Sequence, residues 1–315
     1  MSRIDMHAHV IPDFYRAAAA AAGHGHPDGM PAIPPWSAGA ALATMDGLDI
    51  TTALLSISSP GVHFGDDAAA RELARAVNRF GAGLVADHPG RFAVLAALPL
   101  PDVAGTIDEI TFAYDELGLD GVVLETNSGG VYPGDPAFEP VWDALDERSA
   151  LVVLHPTSPP GWELVARGRP RPMLEFPVDT ARAVTDLLLT GTLQRHPRVT
   201  IVVPHGGGVL ASAADRIATF AAALPEAQGI DVRSQLRRLY FDLAGMPLPH
   251  QLPSLLALAG PDRLLYGSDW PFTPEPLAKH LAAALDRTPL LNTEAQHAMR
   301  SGNAAGLLPR PAQDA

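Results

Sequence analysis

The chain has 315 residues, of which 47% are hydrophobic and 18% are charged. This length suits one large α/β domain, and the apolar share is sufficient for a substantial core. A net charge of −13 makes nucleic-acid backbones and anionic membrane surfaces poor partners. Because the chain has no cysteine, a bound metal would need histidine and carboxylate ligands. The first ten residues lack the basic and apolar segments of a signal peptide, so we expect a cytoplasmic protein.

Short apolar segments recur along the chain with helical patterns between them. Runs such as GVVLE, LVVLH and TIVVP are continuously apolar, which is typical of strands buried on both faces of a parallel sheet. The predicted strands are 3–7, 53–57, 92–98, 121–125, 151–155, 200–204, 239–243 and 263–266. The predicted helices are 67–84, 137–147, 180–193, 209–224, 253–258, 276–285 and 293–300.

This alternation predicts parallel strands that are joined by helical crossovers. The repeated units over the whole length favour a closed (β/α)₈ TIM barrel over an open doubly wound sheet. In addition, no Gly-x-Gly-x-x-Gly pattern follows the first strand, which argues against a dinucleotide-binding sheet.

Two stretches rich in proline interrupt the alternation. Residues 12–40 follow the first strand and contain HGHPDGMPAIPP, so we expect a small insertion or lid over the barrel mouth. Residues 156–177 follow the fifth strand and should lie at the same end, where barrel enzymes carry their chemistry. We interpret 1–308 as a single barrel domain and 309–315 as a flexible tail.

Five side chains that can bind metal lie at or just after the ends of predicted strands. His7 and His9 are two residues apart, so on a strand they point to the same side. His155 ends the fifth strand, His205 follows the sixth, and Asp269 follows the eighth. A single histidine at a strand end is commonly only hydrogen bonded. This ordered set instead favours a divalent cation with one coordination position left open.

Several motifs carry a resemblance to a known family. The stretches IDMHAHVIPDFY, LHPTSP, VVPHGGG, LLYGSDWPF and SGNAAGLL resemble the amidohydrolase-related decarboxylases typified by aminocarboxymuconate-semialdehyde decarboxylase. The resemblance runs nearly end to end and implies a (β/α)₈ barrel of the metal-dependent hydrolase type. It also implies that His7, His9, His155 and Asp269 hold the metal, Zn²⁺ or Mn²⁺. His205 matches a histidine that stays off the metal, or only near it, and acts on water or substrate.

Differences from related enzymes narrow the expected chemistry. After the fourth strand the chain has Glu125 and Asn127 but no lysine to bridge two metals, so we expect one metal ion. Resorcylate-type and carboxyvanillate-type decarboxylases have an acid in place of His7 and a glutamate in place of Gly208. An early substrate-binding arginine of the muconate enzyme has no counterpart in residues 27–53, which predicts a different substrate. The stretches SSPGVHFGDDAAARELARAVN and TNSGGVYPGDPAF look closest to 6-methylsalicylate decarboxylases.

Two reactions are compatible with these residues. The first is non-oxidative decarboxylation of a small aromatic or unsaturated carboxylic acid, such as the ortho-hydroxybenzoate 6-methylsalicylate. It needs a proton at the carbon that bears the carboxylate, and the resemblance implies that Asp269 donates it while His205 polarises water or substrate. Such a donor requires a pKa that is raised toward the working pH. The alternative is hydrolysis of a lactone, ester or amide with Asp269 as base, and only the resemblance separates the two.

Four side chains are candidate contacts for this small-molecule acid. Trp270 and Phe64 could wall an aromatic ring, and Asn127 lies beside the fourth strand. Arg216 follows His205 at the spacing where the muconate enzyme has an arginine that reaches the neighbouring subunit's site. The resemblance therefore implies a homodimer, or a higher homo-oligomer, with shared sites. The alternative is an ordinary exposed helix arginine of little energetic weight.

Overall fold

An eight-stranded parallel sheet forms the centre of the structure, a computed structural model that describes residues 2–308. The strands are hydrogen bonded in chain order. They are β1 (Arg3–His9), β2 (Ile50–Ser56), β3 (Phe92–Ala96), β4 (Gly121–Glu125), β5 (Leu151–His155), β6 (Thr200–Val203), β7 (Tyr240–Asp242) and β8 (Leu264–Leu265).

Helices occupy the connections between the strands. They are α1 (Asp13–Ala21), α2 (Ala38–Gly47), α3 (Asp67–Asp87), α4 (Val103–Thr111), α5 (Glu139–Glu147), α6 (Trp162–Val165), α7 (Glu175–Leu189), α8 (Thr192–Arg195), α9 (Leu210–Ala221), α10 (Val232–Arg238), α11 (Gln251–Ala259), α12 (Glu275–Arg287), α13 (Thr293–His297) and α14 (Asn303–Ala305). Strands and surrounding helices confirm the predicted (β/α)₈ barrel of the amidohydrolase type. Among the helices of residues 2–308, none has both the length and the apolar character of a membrane span.

Some boundaries differ from the sequence prediction for local reasons. The helix predicted over 180–193 is split into α7 and α8 because Gly191, between them, has a φ of 73°. Strand β1 continues beyond the predicted end at His7 to His9. The sequence prediction missed several helices, each of ten residues or fewer; they include α2, α4, α6, α10 and α14.

Alternate residues of each strand point into the barrel and out toward the helices. On β5, Leu151 and Val153 join the inner apolar cluster, whereas Val152 and Leu154 join the outer one that packs against the helices. Because the period of a strand is two, His155 is the next inward position, at the carboxyl end. The same alternation places Glu125 inside at the end of β4, where it is the direct partner of His155 in the ladder.

Hydrogen bonds between β1 and the segment that follows β8 close the ring. The N–H of Met6 donates to the Tyr266 carbonyl at 2.9 Å, and the N–H of Asp269 donates to the His7 carbonyl at 2.7 Å. The N–H of His9 donates to the Trp270 carbonyl at 2.8 Å. The chain segment around Asp269 is thus fixed directly against the strand that carries both histidines.

The end of the described chain closes the bottom of the barrel. Ala304 of α14 belongs to the inner apolar cluster, and Leu307 and Leu308 pack against it. The Asn303 side chain donates to the Leu264 carbonyl at 2.8 Å and so ties α14 to β8. Residues 303–308 therefore pack against the inner apolar cluster at the amino end of the barrel.

The segment predicted as an insertion or lid contains regular structure. Residues 12–40 include all of α1, a short 3₁₀ turn at Pro27–Gly29 and the start of α2. Ser158, in the loop after β5, donates to the Asp28 carboxylate and accepts from the Arg171 Nε at 3.0 Å. The segment thus contacts the proline-rich loop after β5, and its role as a lid stays a prediction. The tail predicted over 309–315 lies outside the described residues.

Candidate metal centre

A β-bulge in β1 turns both predicted histidine ligands inward. Asp5 pairs with Ala53 while Ala8 pairs with Leu55, so β1 has one residue more than β2 over this interval. The Asp5 carboxylate stabilises the bulge because it accepts from the N–H of His7 at 3.1 Å and from the N–H of Ser268 at 3.0 Å. Burial raises the pKa of Asp5 to about 6. As a result Met6 still packs inside the barrel, and His7 and His9 point to its mouth.

The structure brings together all five predicted side chains. His7, His9 and His155 each offer a nitrogen, and these nitrogens lie within 4.8 Å of one another. Ligand atoms of His7, His205 and Asp269 form a second, overlapping group within the same limit. The predicted ligands are thus divided between two overlapping groups that share His7, and the three imidazoles of the first group could hold one cation.

The hydrogen-bond partners of the imidazoles leave ring nitrogens available for a cation. His7 Nδ1 lies 2.9 Å from Asp242 Oδ2, while the buried Nε2 has no protein partner. His9 Nδ1 lies 3.3 Å from both the carbonyl oxygen and the Oγ of Ser56, and its Nε2 lies 3.1 Å from Asp269 Oδ1. In the tautomer that donates from Nδ1 to the Ser56 carbonyl, Nε2 would offer a lone pair to a cation. The donor set therefore fits a divalent cation.

Burial sets the charge of each imidazole. Burial lowers the pKa of His9. Burial and the neighbouring imidazoles together hold the pKa of His155 well below its usual range, so both rings are neutral. Burial also opposes protonation of His7, but the Asp242 carboxylate outweighs it and raises the pKa of His7 to about 9. The His7 Nε2 position thus favours a cation, either a proton or a metal ion.

The two oxygens of Asp269 face different partners. Oδ1 lies 3.1 Å from His9 Nε2 and 3.7 Å from His7 Nε2, whereas Oδ2 accepts from Thr273 Oγ1 at 3.1 Å. Burial would raise the pKa of Asp269, but the imidazoles of His205 and His9 hold it well below its usual range. The raised pKa that the predicted proton donor requires is therefore not supplied by these side chains.

His205 stands at the rim of the cluster on a tight turn. Its Nε2 lies 3.9 Å from Asp269 Oδ2, and about a quarter of its side chain is exposed (23%). Its φ is 53°, and Gly206 and Gly208 also have positive φ, at 62° and 59°. A Cβ at Gly208 would lie 2.2 Å from the Pro177 carbonyl oxygen, so the glutamate of the resorcylate-type enzymes could not replace Gly208 here without moving the backbone.

Asp242 is a functional residue that the sequence prediction missed. It is fully buried at the end of β7, and its Oδ2 contacts His7 Nδ1. Its Oδ1 accepts from the N–H of His205 and of Ala244, each at 3.1 Å. Burial favours the neutral form of Asp242, yet His7 keeps its pKa below the ordinary value. The available signal was a lone acid in the otherwise uncharged stretch LYFDLAG.

Glu125 connects the cluster to a neighbouring cavity. One of its oxygens lies 3.6 Å from His155 Nδ1, and burial, followed by the charge of Asp28, raises the pKa of Glu125 well above its usual value. The cavity measures about 490 Å³ and is lined by parts of 57–65, 97–101, 123–130 and 157–163. Because the five clustered side chains are not among its lining residues, the cavity lies beside the cluster rather than over it.

Three of the predicted substrate-binding residues, Asn127, Trp270 and Phe64, lie in different parts of the structure. Asn127 lines the cavity, but its amide donates to Asp179 Oδ2 at 3.0 Å and accepts from the Gly130 N–H at 3.0 Å. Trp270 forms a parallel bridge with Ala8 and borders the space between β1 and α2. The Phe64 ring lies 5.1 Å from that of His24. Substrate contact by these three stays a prediction.

Arg216 does not reach the cavity of its own chain. It is exposed on α9, and its guanidinium carbon lies 4.9 Å over the ring of Phe220, which is also exposed. Neither residue is among those that line the cavity. Arg216 is therefore not a contact of this cavity, and its action in a neighbouring subunit stays a prediction from the resemblance.

Comparison with known proteins agrees with this geometry. The family profile described as Amidohydrolase matches residues 4–310. The chain belongs to the amidohydrolase family. This membership confirms the resemblance that the strand-end motifs carry.

Two curated relatives and one solved structure are similar to this chain over most of their length. The 6-methylsalicylic acid decarboxylase of Aspergillus aculeatus is 37% identical over 86% of this chain and 85% of its own. That of Penicillium expansum is 35% identical over 98% of this chain and 97% of its own. The crystal structure of a protein named amidohydrolase II has a TM-score of 0.92 and 38% identity, covering 97% of this chain and 99% of its own.

Replacement of Gly267 should weaken metal binding. A Cβ at this position would lie 2.8 Å from the Cβ of His7 and 3.1 Å from that of Ala244, and neither atom can move without the backbone. We expect Gly267→Ala to lower metal affinity at least tenfold, measured by chelator competition. Gly83→Ala is the control, since a Cβ there meets no atom within 4 Å. Full metal affinity in Gly267→Ala would show that His7 is not held in place by this close approach.

The Asp242→Asn variant tests the tautomer of His7. An amide NH₂ facing His7 Nδ1 would favour the tautomer with hydrogen on Nε2, which removes the lone pair needed by a metal. We expect about 10–100-fold weaker metal affinity, as is typical when the partner of a ligating histidine is lost. Asp262→Asn is a suitable control because Asp262 is exposed. Equal affinities for the two variants would contradict this role of Asp242.

Proposed function

We propose that the protein is a metal-dependent, non-oxidative decarboxylase that acts on an ortho-hydroxybenzoate, with 6-methylsalicylate as substrate. The observation that carries the proposal is the cluster of His7, His9 and His155, with Asp269 Oδ1 3.1 Å from His9 Nε2, in a chain whose near full-length relatives are named 6-methylsalicylic acid decarboxylases. Both relatives reported above are named decarboxylases, which supports decarboxylation. The alternative, hydrolysis of a lactone, ester or amide, is supported only by the residues that could bind the metal.

We assign the metal to these four side chains, with Zn²⁺ and Mn²⁺ both suited to nitrogen and carboxylate donors. When bound, a divalent cation at this site supplies Lewis acidity toward a carboxylate and the adjacent hydroxyl. The chain's contribution is to fix the donors. Asp242 orients His7, the Ser56 carbonyl orients His9, and the bulge at Asp5 aligns both rings.

In this reaction a ring carbon loses its carboxylate and gains a hydrogen. A proton adds to the ring carbon that bears the carboxylate. The bond between this ring carbon and the carboxylate carbon then breaks, and carbon dioxide leaves. The electrons of the broken bond restore the aromatic ring. We assign the proton to Asp269 and His205 acting as a pair, because His205 is partly exposed and Asp269 Oδ2 lies 3.9 Å away. His205 takes a proton from solvent and, together with Asp269, delivers it to the ring carbon. Asp269 cannot supply the proton alone, because its pKa lies well below the usual range.

A direct assay tests this function. The metal-loaded protein should convert 6-methylsalicylate into 3-methylphenol and carbon dioxide in equal amounts, measured by chromatography and gas release. Benzoate without the hydroxyl is the control, because it cannot offer two neighbouring oxygens, and it should give no product. Lack of product from 6-methylsalicylate by fully loaded protein would refute the proposal.

The His205→Ala variant separates catalysis from metal binding. We expect its metal content to stay at the wild-type level, while product formation falls at least 100-fold because the proton pathway is lost. His155→Ala, measured in parallel, should lose metal. If His205→Ala loses metal as completely as His155→Ala does, His205 is a ligand and the division of roles is wrong.

We further propose a homodimer in which Arg216 binds the substrate carboxylate in the neighbouring subunit. Its exposed guanidinium beside the exposed ring of Phe220 supports a role in contact with another molecule. An arginine fork makes two parallel hydrogen bonds to a carboxylate, which lysine cannot reproduce. A cytoplasmic location and the lack of nucleic-acid and membrane partners stay predictions from the sequence.

Arg216→Lys should lower kcat/KM at least tenfold, or about 1.4 kcal/mol, with metal content unchanged. Mixing Arg216→Ala with Asp269→Asn chains should restore activity through hybrid dimers, since one of the two sites then has both residues intact. Should subunit exchange be demonstrated without any recovery, the shared site is excluded.

A further inference from the structure

The cavity beside Glu125 is larger than the proposed substrate requires. One water molecule in the liquid occupies roughly 30 Å³. If each heavy atom of a hydroxybenzoate with one methyl group needs about half of that volume, the molecule occupies on the order of 150 Å³. The cavity alone measures about 490 Å³. The carboxylate and hydroxyl would lie at the cluster, whose side chains do not line the cavity, so the remainder of the substrate leaves most of it unfilled.

Apolar side chains form about half of the wall of this cavity, and Asn127, Ser128, Thr157 and Ser158 are among its polar residues. Val62 and Ala97 are buried, and Leu100 is partly buried at the end of the loop after β3. The apolar lining residues include Ile57, Val62, Ala97, Leu98, Leu100, Leu124 and Trp162. Such walls favour an uncharged group, since burying apolar surface contributes about 25 cal/mol for each Å² removed from water.

The polar groups of the cavity disfavour a second carboxylate. Glu125 and Glu163 line it, and no lysine or arginine is among its lining residues within 2–308. His63 lines it too, but its Nε2 lies 2.8 Å from Asp67 Oδ1 and its Nδ1 accepts from the Gly65 N–H. A substituent with negative charge would meet no lysine or arginine among these described residues that could neutralise it.

We infer that this cavity is a specificity pocket for an uncharged alkyl side chain at ring position 6, and that it accepts chains longer than methyl. The inference rests on the proposed decarboxylation for the orientation of the ring. It assigns selection against a second carboxylate to the lack of lysine and arginine among the described residues that line the cavity, and the limit on chain length to the apolar wall near Leu100.

A substrate series on the metal-loaded wild-type protein tests the pocket. We expect kcat/KM for 6-propylsalicylate to lie within tenfold of that for 6-methylsalicylate. We expect 3-hydroxyphthalate, which carries a carboxylate at the equivalent position, to fall more than tenfold below it. If 6-propylsalicylate falls more than tenfold below 6-methylsalicylate, or 3-hydroxyphthalate does not, the inference is overturned.

Leu100→Trp fills the cavity and gives an internal measure that does not depend on the amount of active enzyme. The ratio of kcat/KM for 6-propylsalicylate to that for salicylate should drop at least tenfold. Leu277→Trp is the matched control, because Leu277 is 42% exposed on α12 and does not line the cavity. An unchanged ratio in Leu100→Trp would overturn the assignment of the wall.

Calorimetric titration distinguishes failure of the pocket from failure of the proposed function. If the protein decarboxylates none of these compounds, the function fails, but the pocket still predicts at least tenfold tighter binding of 6-propylsalicylate than of 3-hydroxyphthalate. Equal affinity for the two ligands overturns the pocket, whatever the activity. A more negative heat-capacity change with the propyl compound than with salicylate is the expected mark of buried apolar surface.

Discussion

The buried carboxylate of Asp242 fixes most of the candidate site. One oxygen holds the Nδ1 of His7, and the other accepts from the backbone of His205 and of Ala244. A single side chain therefore sets the tautomer of one ligand and the position of the turn that carries the proposed acid. Asp242 has no exposed surface, so its charge is stabilised by these partners rather than by water. Loss of one partner would leave a buried charge that is incompletely compensated.

Burial and charge act in opposite directions across the cluster. Burial keeps His9 and His155 neutral, which suits ligands, while Asp242 and Asp269 concentrate negative charge between them. On the side of the neighbouring cavity, Glu125 contacts His155, and burial disposes this carboxyl to be neutral. The mouth of the barrel is thus divided into a region that attracts cations and a region that favours apolar groups.

The sequence predicted what depends on local pattern. Continuous apolar runs located most of the strands, and the spacing of His7 and His9 predicted that both point to one side. The bulge that turns this side inward was not predictable, because it depends on hydrogen bonds from His7 and Ser268 to Asp5. The role of Asp242 was missed because a lone acid at a strand end gives no sign of its cross-strand partners. The close approach of Gly267 to His7 is likewise a property of the closed barrel.

Barrel closure joins two regions that lie far apart along the sequence. His7 and His9 belong to β1, yet Asp269 lies on the segment after β8 that is hydrogen bonded to it. The candidate ligand set is therefore complete only in the closed ring. An ion held by these side chains would bind the closed barrel in preference to a barrel opened between β1 and that segment, so it would stabilise the fold as well as serve the site.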